Sequence, residues 1–221
     1  MYLNTHTYYS LRYGTLKTED LLELVRSNGS STCVLTDINT TTACLDFVRL
    51  SRRYGIRPIL GVDFREGVNQ KYIAIAKNNS GFQAINEYLT EQLHKETSLN
   101  KQAPELDNTF IIYPFQKNKT YPLKSHEYIG VRPKDLDYIR LKKIDTSKCV
   151  ILQPVTFRTK RDFNAHRLLR AIDNNTLLSK LEKTEEANPT DRIVPVAELK
   201  RLYQDFPTML SNTEEILNNC N

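Results

Sequence analysis

Strand-like and helix-like segments alternate along this chain. Tyr2–Thr7 reads as a strand. Thr18, Glu19 and Asp20 then open a helix through about Ser27, with Thr18 as N-cap and Asn28-Gly29 as the stop. Leu21, Leu22, Leu24 and Val25 form its apolar stripe. Thr32–Thr36 is a short apolar strand, Asp37–Thr42 a loop, and a second helix runs to Tyr54-Gly55 with Cys44, Leu45, Phe47, Val48 and Leu50 at helical spacing. Arg57–Phe64 reads as a third strand and Lys71–Lys77 as a fourth, paired across a turn at Glu66–Asn69. A long amphipathic helix starts at Ser80-Gly81, with Phe82, Ile85, Leu89 and Leu93 as its apolar positions.

The middle is less regular. Phe110–Tyr113 and Tyr128–Val131 read as strands around a polar loop, and Asp135–Arg140 as a helical turn. Cys149–Val155 reads as a buried strand. Lys160–Ile172 reads as a helix with Phe163, Leu168, Leu169 and Ile172 inward. Ser179–Asp191 is a polar surface loop, and Val196–Tyr203 and Asn212–Asn219 close the chain as helices. No internal repeat is visible. Repeated βα units predict an α/β fold with a parallel sheet or barrel. Functional residues should then gather at strand C-termini.

Composition narrows the options. The 221 residues fit one large α/β domain or two small ones. Trp is absent and only 7 residues are Gly, which speaks against a Gly-rich phosphate loop. A net charge of +5 permits nucleic-acid contact but is short of a dedicated basic binder. Arg49, Arg52, Arg53 and Arg57 form one basic group; Arg158, Lys160, Arg161, Arg167 and Arg170 form another, with Tyr8, Tyr9 and Tyr13 near the expected site mouth. Solvated helix faces account for the same residues without a ligand. Cys33, Cys44, Cys149 and Cys220 make no CxxC pair and read as buried free thiols of a reducing compartment. No apolar run is long enough to span a membrane, and the sequence opens on a strand-like segment rather than a signal peptide, so a cytoplasmic location is expected.

The chemistry sits at three predicted strand ends. They read Leu3-Asn4-Thr5-His6-Thr7, Leu35-Thr36-Asp37-Ile38-Asn39 and Ile59-Leu60-Gly61-Val62-Asp63. A polynuclear metal centre would need several histidines and carboxylates there, and the chain offers His6, Asp37 and Asp63. These three suffice for one weakly held divalent ion. Against that, Asp37 also suits an Asx-turn or helix cap, and Asp63 a salt bridge with a strand-end Arg. His94 and His126 fall outside the frame, and His166, mid-helix, reads as a partner of neighbouring backbone or carboxylate. No GxSxG, Walker, HExxH or Cys–His arrangement is present.

These segments resemble the PHP (polymerase and histidinol phosphatase) domain at the N-terminus of bacterial DNA polymerase III α subunits. Leu3–Gly14 resembles the family's H-x-H-T-x-Y-S-L-x-D-G opening, and Leu35–Asn39 its T-D-H-x-N/G segment. Gly55–Asp63 resembles G-I-K-P-I-x-G-x-E, and Ile75–Phe82 the A-K-N-x-x-G-Y segment. Asp162–Ile172 resembles D-x-x-A-H-x-x-L-x-A-I, and Ser211–Ile216 the A-N-T-x-E-I helix. The likeness is weakest from Glu96 to Lys148.

The resemblance implies a distorted (β/α)7-type barrel and one domain over 1–221, its last helix (about 208–221) leading toward a polymerase core. Carried over position by position, the family's metal ligands fall on Asn4, His6, Tyr13, Ile38, Asp63, near Lys71, and on Pro154 and Thr156; Asp37 is kept beside them. Tyr, Ile, Pro and Lys do not replace such ligands, which implies an empty pocket at the strand ends and no resident cofactor. The chain then resembles PHP domains that persist as structural or interaction modules after losing metal and nuclease activity. The parent would be a DNA-directed DNA polymerase, a nucleotidyltransferase of replication or repair. Its expected partners are its own polymerase core, a proofreading exonuclease subunit and DNA. The alternative is a phosphoesterase or 3′–5′ exonuclease using His6, Asp37 and Asp63 with Zn, Mn or Mg. A third reading is a free-standing DNA-binding module.

Overall fold

The computed structural model describes residues 1–95, 99–117 and 122–221. Part of the polar loop expected between Tyr113 and Tyr128 (118–121) lies outside the described residues, as does Glu96, the neighbour of His94.

Six strands form one sheet in chain order: β1 (Thr32–Leu35), β2 (Arg57–Glu66), β3 (Asn69–Ala76), β4 (Thr109–Pro114), β5 (Glu127–Val131) and β6 (Cys149–Ile151). β1 and β2 are parallel, β2–β3–β4 antiparallel, and β4–β5–β6 parallel. The expected hairpin between the third and fourth strands is present. The opening segment is the element that closes the curl. Val34 N and Thr36 N donate to Tyr2 O and Thr5 O at 3.3 and 3.0 Å on one side. On the other, His6 N donates to Val155 O and Val155 N to Asn4 O, both at 2.9 Å. Seven segments therefore ring the interior, as the expected barrel requires. The sixth strand ends at Ile151, short of the expected Val155, and Pro154 has no N–H to continue a ladder.

Alternation along the strands sorts two cores. Ile73 and Ile75 of β3 point into the ring with Leu3, Val34, Ile59, Ile112 and Val150. Tyr72, Ala74 and Ala76 point outward, onto Ile85 and Leu89 of α3 (Asn79–Lys95). Gly61 of β2 is needed for this packing: a Cβ there would lie 2.4 Å from Ala74 O. On the opposite flank, α1 (Thr18–Ser27) and α2 (Cys44–Ser51) pack with Met209 of the closing helix.

Several helix expectations shift. Thr18 is buried inside α1, and Lys17 occupies the cap position without a side-chain cap bond. α2 stops at Ser51; a 3-10 turn, Arg52–Tyr54, continues to left-handed Gly55, where L side chains are disfavoured. α4 (Leu136–Lys142) is the expected helical turn. α5 (Lys160–Asp173) begins with a capping box between Thr159 and Asp162. Its inward residues are His166, Arg170 and Ala171, while Leu168 and Ile172, expected inward, are 52% and 58% exposed. The helix is rotated because its buried polar groups find partners: Arg170 pairs with Asp173 and Glu185. Leu93 of α3 is also exposed. Two 3-10 turns interrupt the polar stretch, Leu178–Lys180 and Lys183–Glu185. α6 (Val196–Leu202) follows, and α7 (Pro207–Asn218) starts earlier than expected, with Pro at its first turn.

Candidate functional site

The strand ends and the opening segment bring Asn4, His6, Asp63 and Thr156 together above the apolar interior. All four are fully buried. Asp63 Oδ2 is the hub. It accepts from Asn4 Nδ2 at 2.8 Å, His6 Nε2 at 3.0 Å and Gln70 Nε2 at 2.8 Å. It also accepts from Arg65 Nε and Nη2 at 2.9 and 2.6 Å. Burial alone would raise the Asp63 carboxyl; the Arg65 charge and the His6 bond overcome this and hold it below the usual carboxylate range. Burial would likewise lower the Arg65 guanidinium, and Asp63 and Tyr13 reverse that.

Arg65 is capped from the far side. Its Nη1 donates to Tyr13 Oη at 2.7 Å, and its guanidinium carbon lies 5.0 Å from the centre of the Tyr13 ring. Burial raises the Tyr13 hydroxyl, so it stays neutral. His6 Nδ1 lies 2.9 Å from Thr156 Oγ1. With Nε2–H donating to the Asp63 carboxylate, that hydroxyl donates to Nδ1, an assignment made from the bonding network.

A break in strand register builds this corner. Phe64 pairs with Tyr72 but Arg65 with Gln70, which leaves Lys71 unpaired. Gln70 thereby faces Asp63, and Lys71 pairs instead with Glu66 at 2.6 Å. The position expected near Lys71 is therefore held by Gln70.

Asp37 belongs to a neighbouring but separate network. It accepts from Thr7 N at 2.6 Å, Thr7 Oγ1 at 2.7 Å and Ser10 Oγ at 2.6 Å, and Ser10 Oγ in turn accepts from Ile38 N at 3.0 Å. It thus folds the first loop rather than capping its own. Burial raises its carboxyl, and these bonds offset part of the rise. Gly14 closes the same loop; a Cβ there would fall 1.8 Å from Thr7 O. Ile38 carries no polar side chain into the cluster; it packs by Tyr13 and Phe157. His166 behaves as expected of a backbone partner. Its Nδ1 donates to Tyr13 O at 2.8 Å and its Nε2 accepts from Ala187 N at 2.9 Å. Burial pushes its pKa down to about 4.

The pocket expected at the strand ends is instead filled by side chains. The salt bridge of Asp63 with a strand-end Arg is present, its partner being Arg65; sequence reasoning did not name that residue, and it missed Gln70 and a second ion pair, Arg132 with Asp191 at 2.8 Å. The alternation in β2 was the available signal for Arg65, two residues beyond Asp63 on the same face. The expected basic groups also disperse. Arg57 donates to Leu217 O and Cys220 O at the end of α7, and Arg170 is buried. Arg49 and Arg167 pair with Asp46 and Glu186.

These donors do not fit a divalent cluster. Among the described residues no group of three His, Cys, Asp or Glu side chains is placed to hold a metal ion. Asp63 Oδ1 and Asn4 Oδ1 are buried without hydrogen-bond partners, yet they are only two oxygens beside a guanidinium already seated on Oδ2. A second cation against the same carboxylate would meet like-charge repulsion. With Asp63 at 0% and Arg65 at 4% exposure, no substrate reaches this cluster as it stands.

The family model of the PHP domain matches residues 3–123. The chain belongs to the PHP domain family. Relatives across the PHP domain include DNA polymerase III subunit alpha of Vibrio cholerae, 22% identical over 264 aligned positions that take in 100% of this chain and 23% of the relative. The Staphylococcus aureus subunit is 27% identical over 200 positions, 84% of this chain and 18% of the relative. The chain thus spans less than a quarter of the length of either relative. Among solved structures, a putative metal-dependent phosphoesterase from Bifidobacterium adolescentis covers 91% of this chain and 94% of its own at 10% identity and a TM-score of 0.35.

Proposed function

We propose that this chain is the PHP domain of a DNA polymerase III α-like protein, serving there as a structural and interaction module whose metal site is lost. The observation that supports this reading is the buried Arg65 guanidinium on Asp63 Oδ2, capped by Tyr13. One internal cation stands where the family's ligand pattern calls for metal. Arg65 ties β2 to the opening segment through Tyr13, and Asp63 Oδ2 also takes in Gln70 of β3. The domain then runs over 1–221, with α7 leading toward the polymerase core. The core, a proofreading exonuclease subunit and DNA are its partners, and template-directed synthesis belongs to the core. No helix among the described residues is long and apolar enough to cross a membrane, and a cytoplasmic setting accompanies this reading.

Elemental analysis of the purified chain after incubation with Mn or Zn tests the proposal, together with exonuclease and phosphoesterase assays. Substoichiometric metal, no hydrolysis and a melting temperature indifferent to EDTA are expected. Tightly bound stoichiometric metal, with activity abolished by His6→Ala, would establish the metal-dependent alternative.

A further inference from the structure

α1 connects the opening segment to β1, and α2 connects β1 to β2; these three stretches of chain are mutually parallel. Both helices therefore run back against the strands and lie parallel to each other over one shared core. Arg26 Nη1 donates to Tyr54 O at 2.7 Å, which joins their C-terminal ends.

Charge is laid out the same way along both. The N-terminal halves carry Glu19, Asp20, Glu23 and Asp46, and the C-terminal ends carry Arg26, Arg49, Arg52 and Arg53. Complementing each helix dipole explains part of this pattern. It leaves a remainder: Glu19, Glu23, Arg52 and Arg53 are exposed and make no ion pair or side-chain hydrogen bond among the described residues. Two large apolar groups stand at the acidic end. Leu45 is 80% exposed and Tyr8 45% exposed. Tyr8 stacks on Tyr9 with ring centres 4.6 Å apart, and its hydroxyl lies within electrostatic reach of Glu19 and Asp46.

A face that is acidic and apolar at one end and basic at the other complements itself after a half-turn. A two-fold axis through its middle reverses both helices, so the acidic end meets the basic end twice and the dipoles run antiparallel across the contact. Arginine on the Tyr8 ring, with an arginine stem over Leu45, is chemistry that protein interfaces favour. A nucleic-acid strand would answer the arginines but be repelled by the carboxylates at the other end. We infer that a second copy of this chain docks on the α1–α2 face in a two-fold dimer, Glu19 and Glu23 meeting the partner's Arg52 and Arg53, with Leu45 and Tyr8 between them. Neither metal loss nor a polymerase setting enters this inference, so it stands or falls apart from the proposed function. The face is small: α1 is about 15 Å long, and packed helices lie about 8–10 Å apart. The dimer belongs with weak, reversible contacts rather than obligate ones.

Sedimentation velocity of the full chain, from micromolar to submillimolar concentration, tests the inference. The wild type should dimerise reversibly, with a dissociation constant that rises about fivefold or more from low to moderate salt. Arg52→Glu with Arg53→Glu turns the whole face acidic; Glu19→Lys with Glu23→Lys turns it basic. Each variant alone should associate about tenfold more weakly or worse, and an equimolar mixture should recover the dimer, because an acidic face then meets a basic one. Leu45→Ser changes no charge; it should weaken association about threefold, and it carries the test if melting curves show that a charge reversal has unfolded the chain. Lys160→Glu with Arg161→Glu, on the exposed face of α5, should leave the dimer unchanged. A wild type that stays monomeric at the highest concentration would overturn the inference. So would a dimer indifferent to these substitutions on α1 and α2, or folded charge-reversed variants that remain monomeric when mixed.

Discussion

Asp37 and Asp63 are two buried carboxylates at adjoining strands, linked by the bond from Asp63 N to Asp37 O, and they are held in opposite ways. Asp63 is held by a guanidinium and kept ionised; Asp37 is held by two hydroxyls and one backbone N–H, and burial dominates. They answer acid with opposite signs. The lowered carboxyl of Asp63 contributes stability above its unfolded pKa, about 3.9, and loses it as pH falls below that value. The raised carboxyl of Asp37 costs stability at neutral pH and is relieved as it protonates. Neutral donors therefore suffice to order a loop, while a full opposite charge is needed to keep an ion inside the ring.

The largest effect should come from removing the internal cation. Arg65→Met strands a buried charge and should cost about 3–5 kcal/mol in denaturant unfolding. Adding Asp63→Leu should restore part of that, a coupling of about 0.5–3 kcal/mol. A loss under 1 kcal/mol for Arg65→Met would mean that Asp63 does not depend on its guanidinium.

His166 comes next. Its folded pKa of about 4 lies below the unfolded value of about 6.5. A base with a depressed folded pKa leaves stability intact above pH 6.5 and reduces it as pH falls toward 4, by up to about 3 kcal/mol. Unfolding free energies measured across that window should show the slope, and His166→Gln should flatten it. A wild-type slope surviving in His166→Gln assigns it to other groups.

Asp37→Asn should cost less, about 1–3 kcal/mol, because an amide N–H then faces a donor in the first loop while no charge is stranded. If it matched Arg65→Met, the contrast between the two carboxylates would fail. Ile172→Ser, at the exposed face of α5, should stay within about 0.5 kcal/mol. A loss above 2 kcal/mol would return that residue to the core.

Much of the fold was legible because it is written in short-range pattern. The period of two in β3, the turn at Glu66–Asn69 and the βα alternation each appear where their residues predict them. Helix rotation was not legible in α5. Apolar spacing defines a stripe, but Leu168 and Ile172 yield the inner face to His166 and Arg170, whose partners Glu185, Ala187 and Tyr13 lie 15–153 residues away and meet them only after folding.

The sequence by itself determined the order of strands and helices and the family's frame, because these depend on residue identity and local periodicity. Only the tertiary structure decided what fills the frame. Arg65 meets Tyr13 across 52 positions of chain, and His6 meets Thr156 across 150. The one-residue register break between β2 and β3 turns Gln70 rather than Lys71 toward Asp63. Charge burial is settled by three-dimensional neighbours, since a carboxylate stays ionised inside a protein only where an opposite charge and donors converge on it.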